Sequence, residues 1–292
     1  RQCEDRCYIT NDRRLLHSSD AVVFYGRDLD IDDLPARRAR AQKWVYWSLE
    51  PPPHCYHNSL AYLNDTFNWT MSYRYDSDIV EAYGRLTRRN TLLDHSAQSL
   101  EKVWKMKTKM AVWAVTNCQT TGKREDYVEE LQKHIGVDVY GLCGTHNCDR
   151  DHLYTCHQMF ERKHFFWLAF ENSLCKDYIT EKFYGTLSFN LIPVVFGSAN
   201  YSAVAPPGSY IDALSFKSPK LLAEQLQTVA KDFRIYQSYF GWRKLYNLTA
   251  WKYYNFCTLC KKLYSDDFLR TTVYGSILEW WKTTSHCQVW NR

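Results

Sequence analysis

Two apolar runs constrain this chain more than any other feature. Phe165-Phe166-Trp167-Leu168-Ala169-Phe170 is one, and Leu191-Ile192-Pro193-Val194-Val195-Phe196-Gly197 is the other. Between them stands "ENSLCKDYITEKF", residues 171–183, rich in charged and amide side chains. Apolar strand, polar loop, helix, apolar strand is the pattern of a βαβ unit, which implies a parallel sheet. Ligands of open parallel sheets bind at the carboxyl ends of the strands. The polar loop is therefore where a ligand is expected.

The pattern recurs along the chain. "AVVFYGRD" (21–28) and "KWVYWSLE" (43–50) read as buried strands, the second stopped by Pro51-Pro52-Pro53. Residues 96–109 read as a helix, 110–117 as a strand, "KREDYVEELQKHIG" as an amphipathic helix closed by Gly136, and "VDVYG" as a strand. Further helices are predicted at 218–232, with Ser218 as the cap, and at 266–282. At 292 residues, two α/β lobes with a cleft between them are the simplest architecture. The expected division is 1–107 for the first lobe, 108–250 for the second, and a tail from 251 to 292 that packs back toward the first.

The formal charge is +5, and lysine and arginine are scattered apart from short pieces such as "ARRAR". A nucleic-acid binder would concentrate them in a patch, so nucleic acid is excluded as the partner. Eleven cysteines and four N-x-[ST] sequons, at Asn64, Asn68, Asn200 and Asn247, point to an oxidising, lumenal or extracellular compartment. The odd count leaves at least one thiol unpaired or paired outside the chain. Cys257 and Cys260 form a C-x-x-C whose expected role is structural, in disulfides with Cys3 or Cys7. No apolar run approaches the ~20 residues that a membrane helix needs, so the sequence reads as an ectodomain whose membrane anchor lies outside it.

The loop's chemistry suits an anion. Thr180 can cap a helix beginning at Glu181, whose first turn then offers free N–H groups, and Lys182 adds a full charge beside them. Arg124 opens the helix after the strand at 110–117 and should project from a neighbouring strand end. Together these groups could hold a diphosphate and stabilise it as it leaves. The plainer alternatives are a solvated helix-start lysine and an ordinary surface arginine. Glu50 closes an apolar strand ahead of three prolines, where a carboxylate can accept a hydroxyl proton or merely cap a turn.

"FWLAFENSLCKDYITEKFY" and "PVVFGSANYSAVAPPGSYIDALSF" resemble the signature of the α1,3-fucosyltransferase family, as do "VYWSLEPPPHC", "FNWTMSYRYDSDI", "VDVYGLCG" and the C-terminal Cys-x-x-Cys. The resemblance runs from about Cys7 to the end, and Cys175 within the loop resembles invertebrate members. It implies a GT-B architecture of two Rossmann-like lobes and inverting transfer of L-fucose from GDP-fucose to the 3-hydroxyl of a GlcNAc, core or antennal. It also implies a Golgi-lumenal, single-pass type II membrane protein. Carried over by motif, Glu50 is the general base, and the donor-binding residues are Thr116, Asn117, Arg124, Asn172, Tyr178, Glu181 and Lys182. Glu181 can equally serve the helix dipole. No metal cofactor is expected, although stimulation by a divalent cation is compatible with the site. The competing class is a catalytically inactive sugar- or nucleotide-binding protein on the same scaffold. Glu-Pro-Pro-Pro replaces the family's commoner Glu-Ser-Pro, which keeps the carboxylate and alters its rim.

Two patterns are set aside. The D-x-D strings at 28–33 and 76–78 lie outside the lobe that carries the diphosphate loop, so neither is read as a metal site. Cys143, His146, Cys148, His152, Cys156 and His157 lack the paired spacing of a zinc module, and disulfides are the stronger reading. His54 and His57 belong to the polar loop beside Glu50.

Overall fold

The structure is a computed structural model and describes residues 7–55, 58–92, 97–148, 153–250 and 256–291. The chain divides into two compact units, one of residues 1–82, 175–177 and 252–287, the other of 83–174, 178–251 and 288–292.

The first unit is built on four parallel strands in spatial order β1 (Ala21–Tyr25), β2 (Lys43–Ser48), β3 (Trp69–Ser72) and β4 (Ile79–Val80). Parallel strands are covered on both faces and read as continuous apolar runs, and β2 and β3 are buried along almost their whole length. Val45, Trp69, Met71 and Ile79 form the core with Leu259 from the tail.

The second unit opens with β5 (Gly84–Arg88) and α1 (Ala97–Met106). There follow β6 (Lys109–Ala114), α2 (Arg124–Gln132), β7 (Val137–Tyr140), α3 (Leu153–Lys163), β8 (His164–Phe170), α4 (Glu181–Thr186), β9 (Ile192–Phe196) and β10 (Ile211–Asp212). Then come α5 (Pro219–Lys231), α6 (Phe233–Ser238) and β11 (Tyr246–Ala250). Five strands form one parallel sheet in the order β10-β9-β8-β6-β7. The βαβ unit predicted from the two apolar runs is β8-α4-β9. Ser218 caps α5 as its sequence predicts, its hydroxyl accepting from the Leu221 N–H at 3.4 Å.

Two expectations are corrected. The division falls between Ala82 and Tyr83, not near residue 107. The reason is non-local: β5 pairs antiparallel with β11 from Gly84↔Ala250 to Arg88↔Tyr246. Gly84 also lies flat against Tyr184, where a Cβ would come within 2.3 Å of the ring. The predicted helix over 266–282 is broken into a 3-10 turn at Asp266–Leu269 and α8 (Ile277–Lys282). The β-branched run Thr271-Thr272-Val273 disfavours a continuous helix, and Ser276 starts a new one by accepting from the Glu279 N–H.

The tail returns to the first unit through α7 (Cys257–Leu263) and α8. Cys7 is bonded to Cys260, Cys118 to Cys143, Cys148 to Cys156 and Cys175 to Cys287. Cys257 is also disulfide-bonded, while Cys3 lies outside the described residues. Among the described residues Cys55 is the free thiol, and it is buried. Three sequon asparagines, Asn64, Asn200 and Asn247, are exposed. Asn68 is not open to modification: it is 5% exposed. Its amide donates to the Thr272 carbonyl at 3.0 Å and its oxygen accepts from the Trp44 N–H at 2.9 Å and from Arg38.

Candidate active site

Strand order places the site in the second unit. From β6 the chain moves outward to β7, then returns to lay β8 on the other side of β6 and continues to β9 and β10. The loops that leave β6 and β8 therefore diverge at their carboxyl ends, which is the switch point where open α/β sheets take ligands. These are the loops of Arg124 and Lys182.

They are stitched together. The Gly122 N–H donates to the Asn172 carbonyl at 3.1 Å. Thr121 and Ser173 share a hydroxyl hydrogen bond of 3.0 Å. Gly122 has little room for a side chain, since a Cβ there would lie 3.3 Å from the Asn172 oxygen. The Cys118–Cys143 disulfide fixes the other flank to the loop after β7.

The anchor of the site is Glu171, which sequence reasoning did not single out. Its carboxylate is fully buried at the end of β8. It accepts from the Thr180 N–H at 2.8 Å, from the Thr180 hydroxyl at 2.9 Å and from the Lys182 ammonium at 3.1 Å. Lys182 also reaches the Thr180 hydroxyl at 2.8 Å and Glu181 at 3.4 Å, and a quarter of its side chain remains exposed. Burial alone would lower the Lys182 pKa, but Glu171 and Glu181 outweigh it and raise it, so the ammonium stays charged. Burial pushes the Glu171 carboxyl up, against the pull of Lys182. Thr180 caps α4 as expected, its hydroxyl accepting from the Lys182 N–H. With only six residues α4 adds little dipole, and the positive charge here is that of Lys182.

Arg124 is not the ordinary surface arginine of the plainer alternative. It is 4% exposed. One terminal nitrogen donates to the Phe170 carbonyl at 2.6 Å and the other to the Asn117 carbonyl at 3.1 Å, which ties the two loops. Its Nε is buried and has no hydrogen-bond partner among the described residues. Burial lowers its pKa, and Glu171 opposes that. Of the remaining predicted residues, Thr116 and Asn117 are exposed after β6, and Asn172 is half-buried. Tyr178 is 2% exposed with its ring 6.4 Å from Tyr83. The Glu181 side chain is 65% exposed.

In the first unit Glu50 follows β2, its side chain 30% exposed and its Oε2 3.9 Å from Nδ1 of His54. Pro51 and Pro52, which follow it, are buried. The Ser48 hydroxyl donates to the Glu50 carbonyl at 3.0 Å and lies 3.1 Å from the Cys55 sulfur. Burial pushes that thiol up to about 11, so it remains protonated. His57 lies outside the described residues.

The patterns set aside have structural employment. Asp76 pairs with the fully buried Arg74 and with Lys176, whereas Asp78 accepts from Thr70 and Tyr274. Burial opposes them, but Arg74 and Lys176 hold the Asp76 carboxyl down at about 2. Its stabilising charge is thus present above the ordinary aspartate range and lost as pH falls from about 4 toward 2. Asp76→Asn should lower stability at neutral pH by about 1–2 kcal/mol, discounted for its exposure, and flatten the acid limb. Denaturant titrations of both proteins between pH 3 and 7 check this, and parallel curves would refute it. Cys143, Cys148 and Cys156 are all in disulfides and so are not thiolate metal ligands; His152 lies outside the described residues.

Residues 104–280 match the family model "Glycosyltransferase family 10 (fucosyltransferase) C-term", and residues 1–84 match "Fucosyltransferase, N-terminal". The chain belongs to glycosyltransferase family 10, the fucosyltransferases. This fucosyltransferase is 37% identical over 307 residues to alpha-(1,3)-fucosyltransferase C of Drosophila melanogaster, covering 97% of the chain and 71% of that protein. It is also 37% identical to the human 3-galactosyl-N-acetylglucosaminide 4-alpha-L-fucosyltransferase FUT3, covering 94% of the chain and 74% of the relative. A crystal structure of an alpha1,3-fucosyltransferase with GDP-fucose shares its fold, with a TM-score of 0.55 at 15% identity over 88% of this chain and 80% of that one. The fold is therefore the two-lobed GT-B type, with a parallel sheet in each unit of this fucosyltransferase.

Proposed function

We propose that this fucosyltransferase moves L-fucose from GDP-fucose to the 3-hydroxyl of a GlcNAc in an N-glycan or related glycoconjugate, core or antennal, with inversion. The observation that carries the reading is the Lys182–Glu171 pair at the switch point of the second sheet. A buried carboxylate holds an ammonium charged and partly exposed, which is what a leaving diphosphate needs. Arg124 adds a buried Nε that a phosphate oxygen could engage. Asn117, Thr116, Asn172, Tyr178 and Glu181 complete the donor loops. Glu50 takes the proton of the acceptor hydroxyl as its oxygen attacks C1 of fucose. The bond from C1 to the β-phosphate oxygen breaks, and GDP departs with its added charge met by Lys182 and Arg124. One base suffices, because inversion in a single displacement needs no carboxylate nucleophile.

Nine disulfide-bonded cysteines among the described residues are consistent with an oxidising lumen, and the Golgi lumen is the proposed site of action. Among the described residues no helix is long and apolar enough to cross a membrane, and attachment through an anchor outside residues 1–292 is part of the proposal.

The test is mass spectrometry of products from GDP-fucose and a small glycan panel. One added deoxyhexose on a GlcNAc, with an equivalent of GDP, is expected. Binding without turnover at any enzyme concentration would replace this reading with that of an inactive sugar- or nucleotide-binding protein. Because side chains supply the charge, transfer in excess EDTA should stay within about twofold of the untreated rate. Abolition by EDTA with recovery on adding Mn²⁺ would show that a metal carries the diphosphate instead.

A further inference from the structure

The first unit holds a groove that donor chemistry does not use. A cavity of about 1030 Å³ runs along β1 and is floored by Val23, Trp47, Leu259, Leu263 and Phe268. Its openness has a local cause. The connection from β1 to β2, residues 26–42, contains no helix, and the face that carries Val23 and Trp47 is covered only by α7 and the turn at Phe268 among the described residues, which leaves the groove beside β1.

β1 is also the edge of its sheet. It pairs only with β2, and from Ala21 to Phe24 its backbone makes no hydrogen bond on the other side among the described residues. Edge strands are ordinarily protected by charge, proline or a bulge, whereas β1 reads Ala-Val-Val-Phe-Tyr. A half-buried edge with no partner on its outer side among the described residues, beside an apolar groove, is the geometry by which an extended peptide adds a strand.

Charge selects the peptide. The chain as a whole is basic, at +5, yet this groove is rimmed by acids. Asp33 is paired with Arg13 and Asp12 with Arg14. Asp28, Asp30 and Asp32 are exposed and have no ion pair among the described residues, and Asp30 orders the loop by accepting from the Asp32 N–H at 3.0 Å. We propose that the groove docks an extended, lysine- or arginine-bearing segment of the polypeptide that carries the acceptor glycan, with alternate apolar side chains in the groove and basic ones at the aspartates. The identity of that polypeptide as the acceptor rests on the transfer reading above.

The probe is a fluorescein-labelled peptide of about ten residues alternating valine and lysine, long enough to span β1. A valine–glutamate peptide is the control. Anisotropy should show the lysine peptide binding at least about tenfold more tightly than the glutamate peptide, with the gap shrinking in salt. The triple variant Asp28→Asn, Asp30→Asn, Asp32→Asn keeps each side chain's shape and should weaken the lysine peptide about tenfold. Its transfer rate to a free, peptide-less glycan should equal wild type, which also reports that the variant is folded. On a glycopeptide with a basic flank its KM should rise while kcat holds.

Equal affinity for the two peptides, or no binding of either, would overturn the proposal while transfer to free glycan still stood. A dimer in sedimentation runs that excludes the peptide would assign the edge to a second copy and overturn it as well. Loss of transfer to free glycan by the wild-type enzyme would instead strike the functional reading.

Discussion

Glu50→Gln should lower kcat by about a hundredfold or more and leave GDP affinity unchanged. An amide of the same shape keeps the contacts of the loop but cannot accept a proton. The surroundings make the substitution clean. Ser48 holds the Glu50 carbonyl, not its carboxylate, so the backbone stays fixed when the side chain changes. The prolines that follow lock the turn independently. His54, 3.9 Å away, is an ionisable neighbour that can compensate. The variant should therefore be paired with His54→Gln, which should cost much less if His54 only borders the carboxylate. Steady-state rates with GDP-fucose and calorimetry with GDP make the comparison. A Glu50→Gln enzyme within a few-fold of wild type would remove Glu50 from the chemistry.

The residues that sequence made legible are those whose neighbours in space are also neighbours in the chain. β8, α4 and β9 follow from two apolar runs and a threonine cap. Ser218 ahead of Pro219 predicted α5 within a residue. Lys182 was found because it lies two residues after its cap.

What stayed hidden depends on distant partners. Glu171 reads as a loop acid, and only the folded loop brings Thr180, nine residues on, and Lys182, eleven residues on, to its carboxylate. Arg124 carries a local signal of burial: it stands three, four and seven residues before Tyr127, Val128 and Leu131, all buried on α2. A charge on the same face as a buried stripe is a buried charge. The division at residue 82 was out of reach, because the pairing that sets it joins β5 to β11 across most of the chain.

That dependence on Glu171 shapes the second large effect. Lys182→Ala should weaken GDP-fucose binding by about tenfold or more, the loss of one charge-assisted contact to a phosphate. It should also destabilise the protein, because Glu171 is left fully buried without its counter-ion. Removing one partner of a buried pair costs about 3–5 kcal/mol, and the Thr180 donors that remain should hold the loss to the lower end. The two effects separate in a double variant. Lys182→Met with Glu171→Gln removes both charges and keeps both volumes, so it should recover most of the melting temperature lost in Lys182→Ala. It should not recover donor affinity, since an amide and a thioether offer the diphosphate no cation. Calorimetric melting and GDP-fucose titration of the three proteins give the answer. If the double variant regained donor binding together with stability, Lys182 would be no more than a prop for the loop, and the phosphate-binding charge would have to come from Arg124 alone.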